Sequence, residues 1–229
     1  MDCVELSIMN SSPIPQLSSP RVVRELMETG RRVRIDSGTT LFREGDPVTD
    51  VFCVAVGNLI ITRHAENGER QIIAFLFPGD FLGMTFAEAH LTGAEALTDA
   101  EVWALPLATV TRGLETRPEL GLAFAEMATR IINSEMDVIF TLGRKNARAR
   151  VASFILYLRR RQELLGRPID PVQMPMTRQD IADFLGLTME TVSRSFSQLK
   201  ASGCIAADTP PHVHIADLTA LRKAADLAP

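Results

Sequence analysis

Residues 177 to 203 spell two short helices joined by a glycine turn, and that pairing constrains the chain more than any other stretch. Thr177 with Asp180 three residues on is a variant of the capping box, and Ile181, Ala182 and Leu185 give the first helix one apolar face. Gly186 ends it, Leu187 fills the angle, and Thr188 N-caps a second helix from Met189 to about Ser202, closed by Gly203. Val192, Phe196 and Leu199 recur at spacings of four and three, so one stripe of this helix must face a core. On the free side Glu190 and Arg194 are neighbours one turn apart, with Ser193 beside them.

A helix-turn-helix of this kind reads base edges from the N-terminal half of its second helix. Arginine's planar fork matches the O6 and N7 acceptors of guanine, a carboxylate accepts from cytosine N4, and serine serves either kind of edge. Glu190, Ser193 and Arg194 are therefore the candidate base contacts. Thr177, Arg178, Gln179, Thr188, Thr191 and Lys200 are the candidate contacts to the DNA backbone. Two charges alone would read as a surface ion pair worth roughly a few tenths of a kcal/mol. The caps, the turn, the buried stripe and the placement of the charges coincide within one segment, which favours the reading helix.

Net charge is -4 over 229 residues, which alone argues against a DNA binder. Its distribution argues the other way. Residues 1 to 143 hold 11 Lys plus Arg against 20 Asp plus Glu, whereas residues 144 to 229 hold 13 against 8. The phosphate-binding capacity thus sits where the two capped helices are. Cys3, Cys53 and Cys204 lie far apart with no metal-ligand spacing; Cys53, in the apolar run from Val51 to Val56, reads as a small core residue. No segment reads as a membrane span or secretory signal, so a soluble cytoplasmic protein is expected.

The rest of the chain changes period twice. Residues 1 to 20, rich in proline and serine, read as a flexible tail, and Arg21 to Gly30 as one short helix. From Arg31 to about Pro106 short apolar runs alternate with turns at Ser37-Gly38, Gly45-Asp46-Pro47, Gly57-Asn58, Asn67-Gly68 and Pro78-Gly79-Asp80, the pattern of a small barrel or sandwich. Residues 117 to 146 then predict a helix of about 28 residues, roughly 40 Å long. Leu120, Phe124, Met127, Ile131, Ser134, Val138 and Thr141 form one stripe; Ala128, Ile132, Ile139 and Leu142 form a second.

Two stripes need two partners. One can cover the barrel and the other can pair with its copy in a second subunit; the first stripe is the expected dimer interface. A helix wrapped within one chain fits the period equally well, but a two-fold protein sets two reading helices about 34 Å apart on one DNA face, which favours pairing. Gly143 to Ala147 reads as a hinge, Val151 to Leu158 as an amphipathic helix ending in Arg159-Arg160-Arg161, which suit the negative helix end and could also touch phosphates, and residues 204 to 215 as two strands and a turn that complete a winged helix.

The run from Thr177 to Arg194, with its Glu-x-x-Ser-Arg arrangement, resembles the DNA-binding motif of the CRP/FNR superfamily of bacterial transcription regulators, specifically its FNR and FixK branch. Gly57, Asn67-Gly68 and Phe77-Pro78-Gly79-Asp80 fall in the order of turns in that family's cupin-like β-roll, and the resemblance spans roughly residues 30 to 220. It implies an α+β chain with a tail (1–20), an N-terminal β-roll (21–116), a long dimerisation helix (117–143) and a C-terminal winged helix-turn-helix (144–229). It further implies base recognition by Glu190, Ser193 and Arg194 at an inverted repeat of the type TTGAT, four unspecified pairs, ATCAA.

The same resemblance bounds the ligands. A cyclic-nucleotide pocket pairs the phosphate with a cation, yet no Lys or Arg occurs from Gln71 through Thr111. FNR members hold an iron-sulfur cluster on four thiolates, and three cysteines cannot supply them. The match is therefore to FixK-type regulators, with no cofactor, no metal and no catalytic residues expected. The implied function is a homodimeric transcription regulator, an activator of low-oxygen or nitrogen-metabolism genes, with DNA, its own copy and RNA polymerase as partners and no membrane. The alternative is a regulator gated by a small ligand or haem in the β-roll, for which His64, His90, His212 and His214 are the available imidazoles. An enzyme is disfavoured because two front-domain histidines are too few for a cupin metal site.

Overall fold

The computed structural model describes residues 21–85, 87–209 and 211–226; the expected tail at residues 1 to 20, with Cys3, lies outside the described residues. Helix α1 (Arg21–Met27) leads into the strands β1 (Arg31–Ile35), β2 (Thr40–Phe42), β3 (Asp50–Val56), β4 (Leu59–His64), β5 (Arg70–Leu76), β6 (Phe81–Leu82), β7 (Gly93–Ala96) and β8 (Ala100–Pro106). They form two antiparallel four-stranded sheets, ordered β1-β8-β3-β6 and β2-β7-β4-β5. Ile35, Phe42, Phe52, Val54, Leu59, Leu82 and Val102 fill the space between them. The β3–β4 bend needs glycine: Gly57 has φ +79°, and a Cβ there would stand 2.3 Å from the Asp99 carbonyl oxygen.

Helices α2 (Leu107–Thr116), α3 (Pro118–Arg144) and α4 (Ala147–Leu164) follow, then β9 (Val172–Gln173), α5 (Arg178–Leu185), α6 (Met189–Ala201), β10 (Ile205–Thr209), β11 (His212–Ile215) and α7 (Leu218–Ala224). Strands β10, β11 and β9 make the wing, in that order. Two of these helices are additions to the sequence reading. In α2, Leu107, Val110 and Leu114 pack at helical spacing against the cluster beneath α1 and α3. In α7, Asp217 accepts from the Ala220 amide at 2.9 Å, and Leu221 and Ala225 are buried. The arginine run 159–161 lies inside α4, about a turn before its end, rather than at its terminus.

Helix α3 begins with Pro118 in its first turn and runs through Gly143 to Arg144. Its break comes at Lys145, after which the Asn146 side chain accepts from the Ala149 amide at 3.0 Å and starts α4. The stripe assigned to a second subunit needs correction. Leu120, Phe124 and Met127 are buried against Val23, Met27, Val51, Cys53 and Leu105 of their own chain, and Val138 packs on a second cluster of its own chain, shared by the roll and the rear helices. Ser134 and Thr141 are half-buried, and only Ile131 of that set is exposed. The open face carries Leu122, Ile132, Met136, Ile139 and Phe140, with Ile139 69% and Met136 61% exposed. Of the second stripe read from the sequence, Ile132 and Ile139 lie on this face and Leu142 is half-buried, while Leu122, Met136 and Phe140 were not assigned to it; which side the roll covers depends on the roll's position, which no local pattern carries.

One hydrophobic cluster crosses from the roll into the rear of the chain. Ile60, Ile72, Phe75 and Phe77 of β4, β5 and the following turn meet Phe154, Ile155, Leu158, Phe184, Leu185, Val192 and Phe196. Phe75 lies 5.5 Å from Phe154 and 5.2 Å, edge-on, from Phe184 between ring centroids. Each such ring contributes about 1.5 to 3 kcal/mol by leaving water, with about 0.5 to 1.5 kcal/mol more per well-oriented pair. Among the described residues, no helix is long and apolar enough to cross a membrane.

Candidate nucleic-acid interface

The caps read from the sequence form in full. The Thr177 hydroxyl accepts from the Asp180 amide at 3.1 Å, and the Asp180 carboxylate accepts from the Thr177 amide at 2.9 Å, a reciprocal box that fixes the start of α5. Gly186 ends the helix in the left-handed region at φ 61°, where a side chain would be strained. Thr188 then caps α6 by accepting from the Thr191 amide at 3.2 Å. Val192, Ser195, Phe196 and Leu199 turn inward, and the Ser195 hydroxyl is satisfied by the Thr191 carbonyl at 2.8 Å.

That inward stripe leaves Met189, Glu190, Ser193, Arg194, Ser197 and Gln198 in solvent. Glu190 and Arg194 lie on one face and interact. Hydrogen bonding at its own backbone amide, helped by the Thr188 hydroxyl and the Arg194 charge, holds the Glu190 carboxyl below its ordinary value. At neutral pH it is an acceptor, as a cytosine amino group requires. The first turn of α6 also adds the free amides and positive end of a helix to the same surface.

The other expected contacts divide. Thr177, Gln179, Thr188 and Lys200 are exposed around α5 and α6, while Arg178 and Thr191 are half-buried. The Arg178 guanidinium lies 3.4 Å above the Phe196 ring, and Gln179 donates to Asp183 at 2.6 Å. Arg161, which the sequence offered as a phosphate contact, turns inward and pairs with Asp80. Arg159 is half-buried and Arg160 exposed.

Three side chains that bear on this surface were missed. Arg150 of α4 donates from Nε, Nη1 and Nη2 to the carbonyls of Lys145, Leu185 and Leu142, at 3.0, 2.9 and 2.7 Å. Arg70 and Gln71 of β5 reach α5. For Arg150 the signal was an arginine between the buried Ala149 and Val151; for the β5 pair the partners lie more than a hundred residues away, and no local signal exists.

The four imidazoles are dispersed: His64 and His214 are exposed, His212 half-buried, and His90 stacks on Phe42 with ring centroids 3.8 Å apart. Among the described residues, no three His, Cys, Asp or Glu side chains converge as a metal site. Cys53 and Cys204 are both buried, and burial pushes the Cys53 thiol far up.

Comparison with known proteins places both halves. Residues 149–224 match the Crp-like helix-turn-helix domain, and residues 32–117 match the cyclic nucleotide-binding domain. The nitrogen fixation regulation protein FixK of Bradyrhizobium diazoefficiens is 39% identical over 204 residues, covering 89% of this chain and 86% of its own. The transcriptional activator protein FnrL of Cereibacter sphaeroides is 31% identical, covering 82% of this chain and 78% of its own. The solved structure of FixK2 from Bradyrhizobium japonicum superposes with a TM-score of 0.81 at 28% identity, covering 87% of this chain and 99% of that one.

The residues present do not fit the nucleotide for which the front domain's match is named. No Lys or Arg lies between Arg70 and Arg112, and the cluster between the sheets is built of apolar side chains such as Phe42, Phe52, Leu59 and Val102. Arg32 and Arg63 pair with Glu101 and Glu44 at 3.3 and 3.6 Å. A buried cyclic phosphate would meet no cation in that stretch.

Proposed function

This chain belongs to the CRP/FNR family of DNA-binding transcription regulators, and from that membership we propose that two copies read an inverted repeat through Glu190, Ser193 and Arg194. The observation that carries the reading is the exposure of these three groups on the leading half of α6, a helix capped at Thr188 and backed by Val192 and Phe196. Thr177, Gln179, Thr188, Thr191 and Lys200 border the same surface and take phosphates, with Arg178 swinging off Phe196 to join them. The open face of α3, with Ile132, Met136, Ile139 and Phe140, supplies the apolar seam between subunits.

The site read is of the TTGAT, four pairs, ATCAA type, and the regulator acts as an activator of low-oxygen or nitrogen-metabolism genes in the cytoplasm, with RNA polymerase as its partner there. The FixK relative, named for nitrogen fixation regulation, supports that assignment. The test is selection of binding sites from random duplex DNA by purified, metal-free protein. A two-fold site with half-sites about one helical turn apart is the expected product. Recovery of no consensus, or of an unpaired half-site only, overturns the reading.

A further inference from the structure

The covalent link between the roll and the reading head is a single hinge at Lys145 and Asn146, about which α5 and α6 could swing as a pair. Strand β5 prevents this at both ends of α5. Arg70 donates from Nη2 to Asp180 at 2.6 Å and from Nε to Asp183 at 2.8 Å. Gln71 donates to the Asp183 and Phe184 carbonyls at the C-terminal end of the same helix. Between the two grips the Phe184 ring rests edge-on against Phe75.

The Asp180 carboxylate divides its oxygens between two tasks. Oδ2 closes the cap on Thr177, and Oδ1 takes Arg70. A front-domain cation is thereby joined to the N-cap of the first helix of the reading head. The side chains of Asp180 and Asp183 are only 9% and 13% exposed, and that of Arg70 28%. Ion pairs this dry return little net stability, but they fix geometry, because a carboxylate left without its arginine is strongly disfavoured.

We propose that Arg70, seconded by Gln71, is a positioning residue for DNA reading: the β-roll itself sets the pose of α5, and through the Gly186 turn that of α6, before DNA arrives. The inference rests on the reading of α6 as the base-contacting helix. Two reading helices must land one DNA turn apart, so a loose pose in each subunit is penalised twice, whereas non-specific attraction to phosphates tolerates it. Site-specific affinity should therefore depend on Arg70, although Arg70 lies outside the reading helix.

The experiment is a double-mutant cycle in the full-length protein, combining Arg70→Ala with Asp183→Ala, titrated against the selected palindrome and against random duplex. Each single change is expected to weaken palindrome binding about tenfold, the double no more than either single, with random-duplex affinity unchanged. Arg70→Lys should recover part of the loss, and Gln71→Ala should give a smaller loss of the same kind. Losses that multiply in the double variant, equal losses on both DNAs, or unchanged or tighter palindrome binding by Arg70→Ala overturn the proposal. If the wild type selects no palindrome, it is the base-contact reading that fails. The clamp is then judged by amide exchange in α5, which Arg70→Ala must accelerate without accelerating the roll; unchanged exchange overturns it.

Discussion

The guanidinium of Arg150 donates to the carbonyl oxygen of Leu185 at 2.9 Å, immediately before the glycine that turns the chain into α6. The same group holds the Leu142 and Lys145 carbonyls, so the end of the long helix, the hinge and the turn of the reading head share one planar donor. Arg150→Ala should lower unfolding stability by about 2 to 3 kcal/mol, because three part-buried carbonyls lose their partner. Arg150→Lys should recover less than half, since a single ammonium cannot span three directions. Urea unfolding of the three proteins checks both.

Arg194→Ala should cost about 1 to 3 kcal/mol on the cognate site and relax preference at one guanine position. Lys200→Ala should weaken cognate and random DNA alike and lower the slope of affinity against salt by about one unit. Titrations at several salt concentrations separate the two roles.

The two faces of α3 should respond differently. Ile139→Asp, on the open face, should convert the dimer to monomer in sedimentation experiments while leaving the fold intact. Leu120→Ala, on the buried face, should instead cost about 2 to 5 kcal/mol of unfolding stability.

The sequence was most legible where the determining contacts are local. The box between Thr177 and Asp180, the left-handed Gly186 and the Thr188 cap act across three or four residues, and the structure forms all three. It was least legible where a charge finds its partner across the fold. Arg161 read as a phosphate contact until Asp80, 81 residues away, was beside it. The stripe of Leu120, Phe124 and Met127 read as a subunit seam because helical period gives two faces without naming their neighbours. Helix α2 was missed because it begins directly at the end of β8, with Pro106 the only break in the pattern.

Acid should weaken the front domain through His90. Desolvation beside Phe42 lowers its imidazole below the ordinary value of 6.5, against an opposing pull from Asp46. The fold thus favours the neutral ring, so its stabilisation is whole above about pH 6.5 and is lost as the pH falls through the depressed native value. Urea midpoints at about pH 7.5 and about pH 5.5 should differ more for the wild type than for His90→Gln.

The aromatic cluster shared by β5, α4 and α5 has a consequence for how the molecule can be taken apart. Phe154 and Phe184 both lean on Phe75, so a fragment cut at Arg144 would carry two bare phenyl faces into water. Such a truncation would self-associate instead of yielding a clean minimal binder; the C-terminal half is a lodger on the sheet, not a detachable module.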